Sequence, residues 1–259
     1  MRMRATVAAV AAVTGALALS GLVVPVASAA TTADPVVSKG VVNGGKPIVV
    51  SATTAKKVTV SITASHSSGI KDAFIALWKG KNIETTQDVL GPNEDHATCK
   101  AASATTSTCT MTITLAPKAL FNTDATTWKL AADVDAKNGA TVSADNITTT
   151  KIQRASQLTV AATPKPVKKG KTLTVTGKLS RANWETGKNA GYGTQPVKLQ
   201  FRKKGATAYT TVKTVNTATT GALKTTTTKT TATGYWRWSF AGTASSPAVN
   251  SADVLVSVN

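Results

Sequence analysis

His66 and His96 are the two imidazoles in a chain of 259 residues, and they limit the catalytic chemistry the sequence can offer. A histidine acts as general base or metal ligand only beside a carboxylate, a nucleophile or further ligands. His66 stands in the Ser-rich run Ser65-His66-Ser67-Ser68, and His96 follows Glu94-Asp95. Neither belongs to a nucleophile elbow or to a zinc-binding H-E-x-x-H. The expectation is a protein that is not an enzyme, with both histidines solvated on loops. A hydrolase acting on wall polymers would need a cleft where one of them meets a carboxylate.

Acidic residues suggest a different chemistry. The run Asp133-Val134-Asp135-Ala136-Lys137-Asn138-Gly139, followed by Asp145, approaches a calcium loop, in which alternate oxygens converge on a hard cation. Lys137 occupies the fifth place, however, Gly139 comes one position late, and Ala144 stands where a bidentate Glu is needed. A hairpin turning at Asn138-Gly139 accounts for the same residues. Asp133, Asp135 and Asp145 are the candidate calcium ligands, with Asp72, Glu94 and Asp95 as further oxygen donors in this half; no other cofactor is indicated.

The residues suited to binding lie further along. Between 181 and 195 the chain holds Asn183-Trp184, Lys188 and Gly191-Tyr192-Gly193. Rings beside cations in a glycine-bearing connection can stack on a sugar or cap an anionic polymer, or fold back over the end of a domain. Lys165, Lys168, Lys169 and Lys171, with Arg202, Lys203 and Lys204, fall at expected turns and strand ends. They can form a patch for teichoic acid, anionic polysaccharide or nucleic acid, or simply a solvated face that blocks edge pairing. Few aromatics interleave with them, so nucleic acid is the least favoured partner. In Gly234-Tyr235-Trp236-Arg237-Trp238-Ser239-Phe240, strand geometry sends Trp236, Trp238 and Phe240 to one face and Tyr235, Arg237 and Ser239 to the other. With four Phe, five Trp and three Tyr in the whole chain, the composition favours the core over a ligand platform for the first three.

The elements that position these groups are strands. Val58, Val60 and Ile62 alternate with polar residues, as do Cys109, Met111, Ile113 and Leu115, and Trp128, Leu130 and Ala132. Further strands are expected at 70–78, 142–150, 158–160, 173–179, 197–202, 209–215, 222–230, 234–240 and 254–258. Short Thr-rich strands punctuated by Gly, Pro, Asn and Asp predict an all-β chain of two immunoglobulin-like sandwiches in tandem, over 31–153 and 154–259. A small barrel is the competing architecture for the second. Arg154-Ala155-Ser156 is expected to be a short hinge.

The first thirty residues predict export. Arg2 and Arg4 precede an uncharged apolar stretch over 5–19, and Pro25 precedes Ala27-Ser28-Ala29, an A-x-A cleavage signal. The apolar run is short for a retained transmembrane anchor, so no membrane span is expected after cleavage at Ala29 or Ala30. In an oxidising compartment the two cysteines, Cys99 and Cys109, are expected to form a disulfide. Charge divides unevenly: residues 31–153 carry a net +2, and 154–259 a net +14 with Glu185 and Asp253 as their acids. The second half should be drawn to polyanions in a salt-dependent way.

Ser68-Gly69-Ile70, Leu77-Trp78, Ala97-Thr98-Cys99, Ser107-Thr108-Cys109 and Thr127-Trp128 resemble an uncharacterised domain of small secreted actinobacterial proteins. The second half, from Leu158 through Gly170-Lys171-Thr172-Leu173-Thr174-Val175 to Gly234–Phe240, resembles the immunoglobulin-like domain that often follows it. The resemblance implies the tandem architecture and secretion. Relatives are sometimes labelled calcium-binding, but no site residues transfer. The reading that results is a secreted, non-enzymatic binding or structural module, associated with the anionic cell envelope or extracellular polymers. A calcium-dependent module is the alternative.

Overall fold

A computed structural model describes residues 33–227 and 229–259; the expected signal peptide over 1–30 lies outside the described residues. The first sandwich contains β1 (Val36–Val42), β2 (Ile48–Val50), β3 (Lys56–Ser65), β4 (Ile70–Trp78), β5 (Val89–Leu90), β6 (Thr98–Ala101), β7 (Thr106–Leu115), β8 (Thr127–Ala136) and β9 (Thr141–Arg154). One sheet has the order β1-β3-β7-β6 and the other β2-β9-β8-β4-β5, with β2 parallel to β9. In immunoglobulin terms these are A-B-E-D facing a G-F-C sheet extended by short strands, so the topology follows from the strand order itself.

Period-two burial explains the sheets. In β3 Val58, Val60, Ile62 and Ala64 are buried, and they pair across with Ile113, Met111, Cys109 and Ser107 of β7. The intervening threonines and serines stay at least partly open to solvent, as a pleated, half-buried surface requires. Cys99 and Cys109 are directly opposed on β6 and β7 and form the expected disulfide, with Cα atoms 3.9 Å apart. The β8–β9 turn is at Asn138-Gly139, where Gly139 takes φ +88°, a conformation that disfavours a Cβ.

The second sandwich contains β10 (Ser156–Leu158), β11 (Ala161–Thr163), β12 (Leu173–Asn183), β13 (Lys188–Gly191), β14 (Pro196–Lys203), β15 (Thr210–Asn216), β16 (Ala222–Thr227), β17 (Gly234–Phe240), β18 (Val249–Asn250) and β19 (Val254–Val256). β12 is central to one sheet, flanked by β10 and β11 on one side and by β13 and β16 on the other. The facing sheet runs β15-β14-β17, with β18 and β19 sharing the far edge of β17. Two open sheets replace the barrel alternative. Trp236, Trp238 and Phe240 are 4, 0 and 2 % exposed and fill the space between them. Trp238 donates its indole N–H to the Thr176 carbonyl across the core at 3.0 Å. Gly177 permits that approach, since a Cβ there would stand 2.8 Å from the indole ring.

Three expectations about the second half and its link to the first are corrected. The strand expected over 222–230 ends at Thr227, and the connection over 181–195 is largely a hairpin, because β12 continues to Asn183 and pairs with β13. Arg154-Ala155-Ser156 is no hinge. The Arg154 amide bonds to Ser245 O, the Ala155 amide to Val50 O, and the Ala182 amide to Ala155 O, at 2.8 to 2.9 Å. Gln153 Nε2 adds bonds to the carbonyls of Thr243 and Ala244. The tip of the β12–β13 hairpin overhangs the first sandwich, and Ala182 and Trp184 are members of that sandwich's own apolar core. Every backbone group of the link that finds a partner here resists bending, because opening the joint would strand it.

Candidate functional site

A group of lysines of the second sandwich sits in or beside turns, and backbone hydrogen bonds bring two of these turns to one end. In the turn after Pro166, the Lys171 amide bonds to the Lys168 carbonyl, and Lys169 N to Asn259 O. Gly170 N donates to Thr230 O, and Thr230 N donates back to Lys171 O. The same 229–233 segment receives the next turn, where Lys204 N donates to Thr233 O. Lys203 lies opposite Gly234 at the start of β17. Lys165, Lys168, Lys169, Lys171, Lys203 and Lys204 are therefore gathered at the end of the sandwich away from the junction, and all six are exposed.

Carboxylates are scarce at that end. Asp253 is held by Arg202 Nη2 at 3.3 Å, and Glu185 is at the junction, where its Oε1 accepts from the Asn122 amide at 3.0 Å. Among the described residues no ion pair involves the six lysines. Ammonium groups so placed repel one another and attract polyanions, an effect screened over about 8 Å at physiological salt. Beside them a cleft of about 340 Å³ opens between β15 and β16. Leu199, Phe201 and Trp236 are among its apolar residues, with Thr225, Thr227 and Thr230 supplying hydroxyls.

The expected ring-and-cation site over 181–195 is not assembled. Trp184 is 2 % exposed, with its indole N–H directed to Val50 O at 3.3 Å and its backbone amide to Asn122 Oδ1. A ring so enclosed has no face for a ligand; it anchors one sandwich to the other. Tyr192 packs edge-on against Phe240, with the Arg181 guanidinium 3.9 Å from its ring centroid. Lys188 is exposed on β13 near the junction, away from the lysine turns. Between Trp184 and Tyr192 the hairpin reverses, so sequence proximity becomes spatial separation. At the junction Arg154 is also buried, its Nε donating to Ala182 O. Burial first, and then the neighbouring Arg181, pushes this guanidinium down to about 10.

In the first sandwich the candidate calcium ligands lie on strands rather than in a loop. Asp133 accepts from Ser143 Oγ at 2.6 Å, and Asp135 is opposite Thr141. Asp133 and Asp145 border a shallow groove with the exposed Phe74 and Val89. Among the described residues no group of three or more His, Cys, Asp or Glu side chains is arranged to hold a metal ion.

His66 departs from the solvated default, and His96 keeps to it. His66 is 6 % exposed, with Nδ1 accepting from the Ser68 amide and Nε2 bonded to Ala33 O at 2.7 Å. His96 does meet a carboxylate, Asp72, but its side chain is 82 % exposed on a loop. Asp72 accepts the Ala73 and Ala97 amides as well. Burial raises the Asp72 pKa, and the His96 contact with these two amides more than offsets it, leaving the carboxyl below its usual range.

Among the described residues no helix is long and apolar enough to cross a membrane. The Cys99–Cys109 disulfide fits an extracellular protein. Residues 48–134, from the start of β2 into β8, match the profile of a family of unknown function, DUF5707. Nothing among curated protein sequences matches the chain. Similar solved structures include a DUF4785 family protein from Legionella pneumophila, at 13 % identity and a TM-score of 0.36, covering 74 % of this chain and 48 % of that one. The amphioxus IgVJ-C2 molecule is similar at 11 % identity and a TM-score of 0.28, covering 80 % of this chain and 99 % of that one. The full ectodomain (Ig1–Ig3) of mouse nectin-like molecule 4 is similar at 11 % identity and a TM-score of 0.27, covering 88 % and 65 %. The chain thus spans about half the length of the Legionella protein.

Proposed function

We propose that the protein is a secreted, non-enzymatic binding module, whose first sandwich is a disulfide-stapled spacer and whose second holds it to an anionic polymer of the cell envelope. The observation that carries this reading is the gathering of six exposed lysines, from two turns, at the free end of a sandwich with a net charge of +14. The expected export signal and the disulfide support an extracellular setting. Binding of this kind is long-ranged, tolerant of polymer sequence and weakened by salt.

Purified cell wall incubated with the mature protein tests the reading. Retention should be strong at low salt, fall steeply as salt rises, and largely disappear in a variant carrying Lys→Gln at 168, 169, 171, 203 and 204. Retention that is absent, or unaffected by salt and by the five substitutions, would sink the proposal. Adding Ca²⁺ or chelator separates the calcium-dependent alternative, in which retention or melting temperature follows the metal.

A further inference from the structure

The outer face of β14 and β17 carries a stack of alternating guanidinium and phenol groups. Tyr235 and Arg202 are direct cross-strand partners, as are Arg237 and Gln200. Tyr209, from the β14–β15 connection, lies over this face. The Arg237 guanidinium is 3.7 Å from the Tyr209 ring centroid, and Arg202 is 5.1 Å from the same ring and 4.3 Å from that of Tyr235. Stacking on a phenol fixes the plane of a guanidinium while leaving its in-plane N–H groups free.

The two arginines differ in what they meet. Arg202 is satisfied: Nη1 donates to Ala206 O at 3.0 Å and Nη2 reaches Asp253 at 3.3 Å. Arg237 spends only Nε within the protein, on Gln200 Oε1 at 2.8 Å. Among the described residues its terminal nitrogens have no hydrogen-bond or ion-pair partner. Its orientation is nevertheless held by a stacking ring on one side and a bonded amide at Nε. Two residues along β17, Ser239 shares the outer face, and Lys198 lies directly opposite Ser239 on β14. Neither the Ser239 hydroxyl nor the Lys198 ammonium is used in a hydrogen bond among the described residues. Cross-strand and diagonal neighbours on one face are about 5 to 8 Å apart, within reach of a single oxyanion.

We infer that Arg237, with Ser239 and Lys198, forms an oriented receptor for one oxyanion, a phosphate or carboxylate borne on a polymer. The inference rests on the envelope-binding reading and adds the site that recognises an individual acidic group, where the lysine turns supply only attraction. A fixed guanidinium fork takes two oxygens of a phosphate or carboxylate in parallel, which a lysine cannot reproduce. Held in advance by Tyr209 and Gln200, the fork loses little freedom on binding.

Calorimetric titration of the full mature chain with short glycerol phosphate oligomers, galacturonate oligomers and neutral glucose oligomers, at one fixed ionic strength, tests the inference. At least one anionic series should bind and the neutral one should not. Arg237→Lys keeps the charge and should weaken binding of the recognised series about tenfold, the loss expected of a bidentate contact reduced to a point charge. Ser239→Ala and Lys198→Gln, which leave the stack intact, should each weaken the same series by a few-fold, with unchanged melting temperatures. The series that responds identifies phosphate or carboxylate as the group recognised, and equal response means that the fork accepts both. Wild-type affinity in Arg237→Lys and Arg237→Gln, or binding of neither anionic series, overturns the inference. Short oligomers need no intact wall, so these titrations stand even if the five-lysine variant shows the envelope reading to be mistaken.

Discussion

At the residue scale, two carboxylates in the first sandwich show how local bonding sets a titration. Asp72 and Glu94 pin the segment over 91–97 to the sheets, Asp72 through the Ala97 amide and Glu94 through the amide and hydroxyl of Thr112. The Thr112 hydroxyl, then its amide, lowers the Glu94 pKa, and Asp72 is lowered as described above. Both groups are therefore easier to ionise in the fold than in the unfolded chain. Their contribution is fully present above the ordinary values of 3.8 and 4.5 and is lost as pH falls through the lower folded values. Protection of the Ala97 and Thr112 amides, relative to their intrinsic exchange rates, should fall below about pH 4, ahead of global unfolding. Asp72→Asn combined with Glu94→Gln should remove most of that pH dependence, and exchange rates that track the rest of β7 in both proteins would contradict it.

At the element scale, β6 is a weakly supported strand, four residues at the edge of its sheet with only β7 as its sheet neighbour. The disulfide ties it there across a sequence separation of 10. Closing so short a loop stabilises the fold by about 3 kcal/mol through chain entropy. Replacing both cysteines by alanine should lower the melting temperature of the first sandwich by about 10 °C and leave the second unchanged, as read by calorimetry under non-reducing conditions. The alternation that placed β3, β7 and β17 was plain in the sequence, and so was the turn at Gly139. The extension of β12 to Asn183 was not, because Arg181-Ala182-Asn183 has no alternation of its own and gains its pairing only from β10 and β13.

At the scale of the molecule, the junction decides how the sandwiches behave. Trp184 carries the joint: its ring is part of the core of one sandwich while the β12–β13 turn that bears it belongs to the other. Trp184→Ala should cost about 3 to 5 kcal/mol at the interface, as large-to-small core changes do. Small-angle scattering should then show a broader distribution of dimensions, with each sandwich still folded. Unchanged scattering and stability would mean that the hydrogen bonds of residues 153–155 hold the joint unaided.

The sequence alone determined the all-β class, the inward residues of most strands, the disulfide pair and the concentration of positive charge in the second half. Each is a property of short-range pattern or of composition. Tertiary structure decided which charged and aromatic groups are available. Trp184 and Tyr192 looked like one display and are separated by a hairpin, and His66 is buried although its neighbours are serines. Tyr235, Arg237 and Ser239 were legible as an outward-facing trio, but the stack depends on Tyr209, which reaches them from a turn whose path no periodicity specifies. Lysines from two turns share one end only because both bond to the 229–233 segment. Local pattern fixes which way a side chain points from its own strand; its neighbours are fixed by which strands meet, and that is a property of the packed whole.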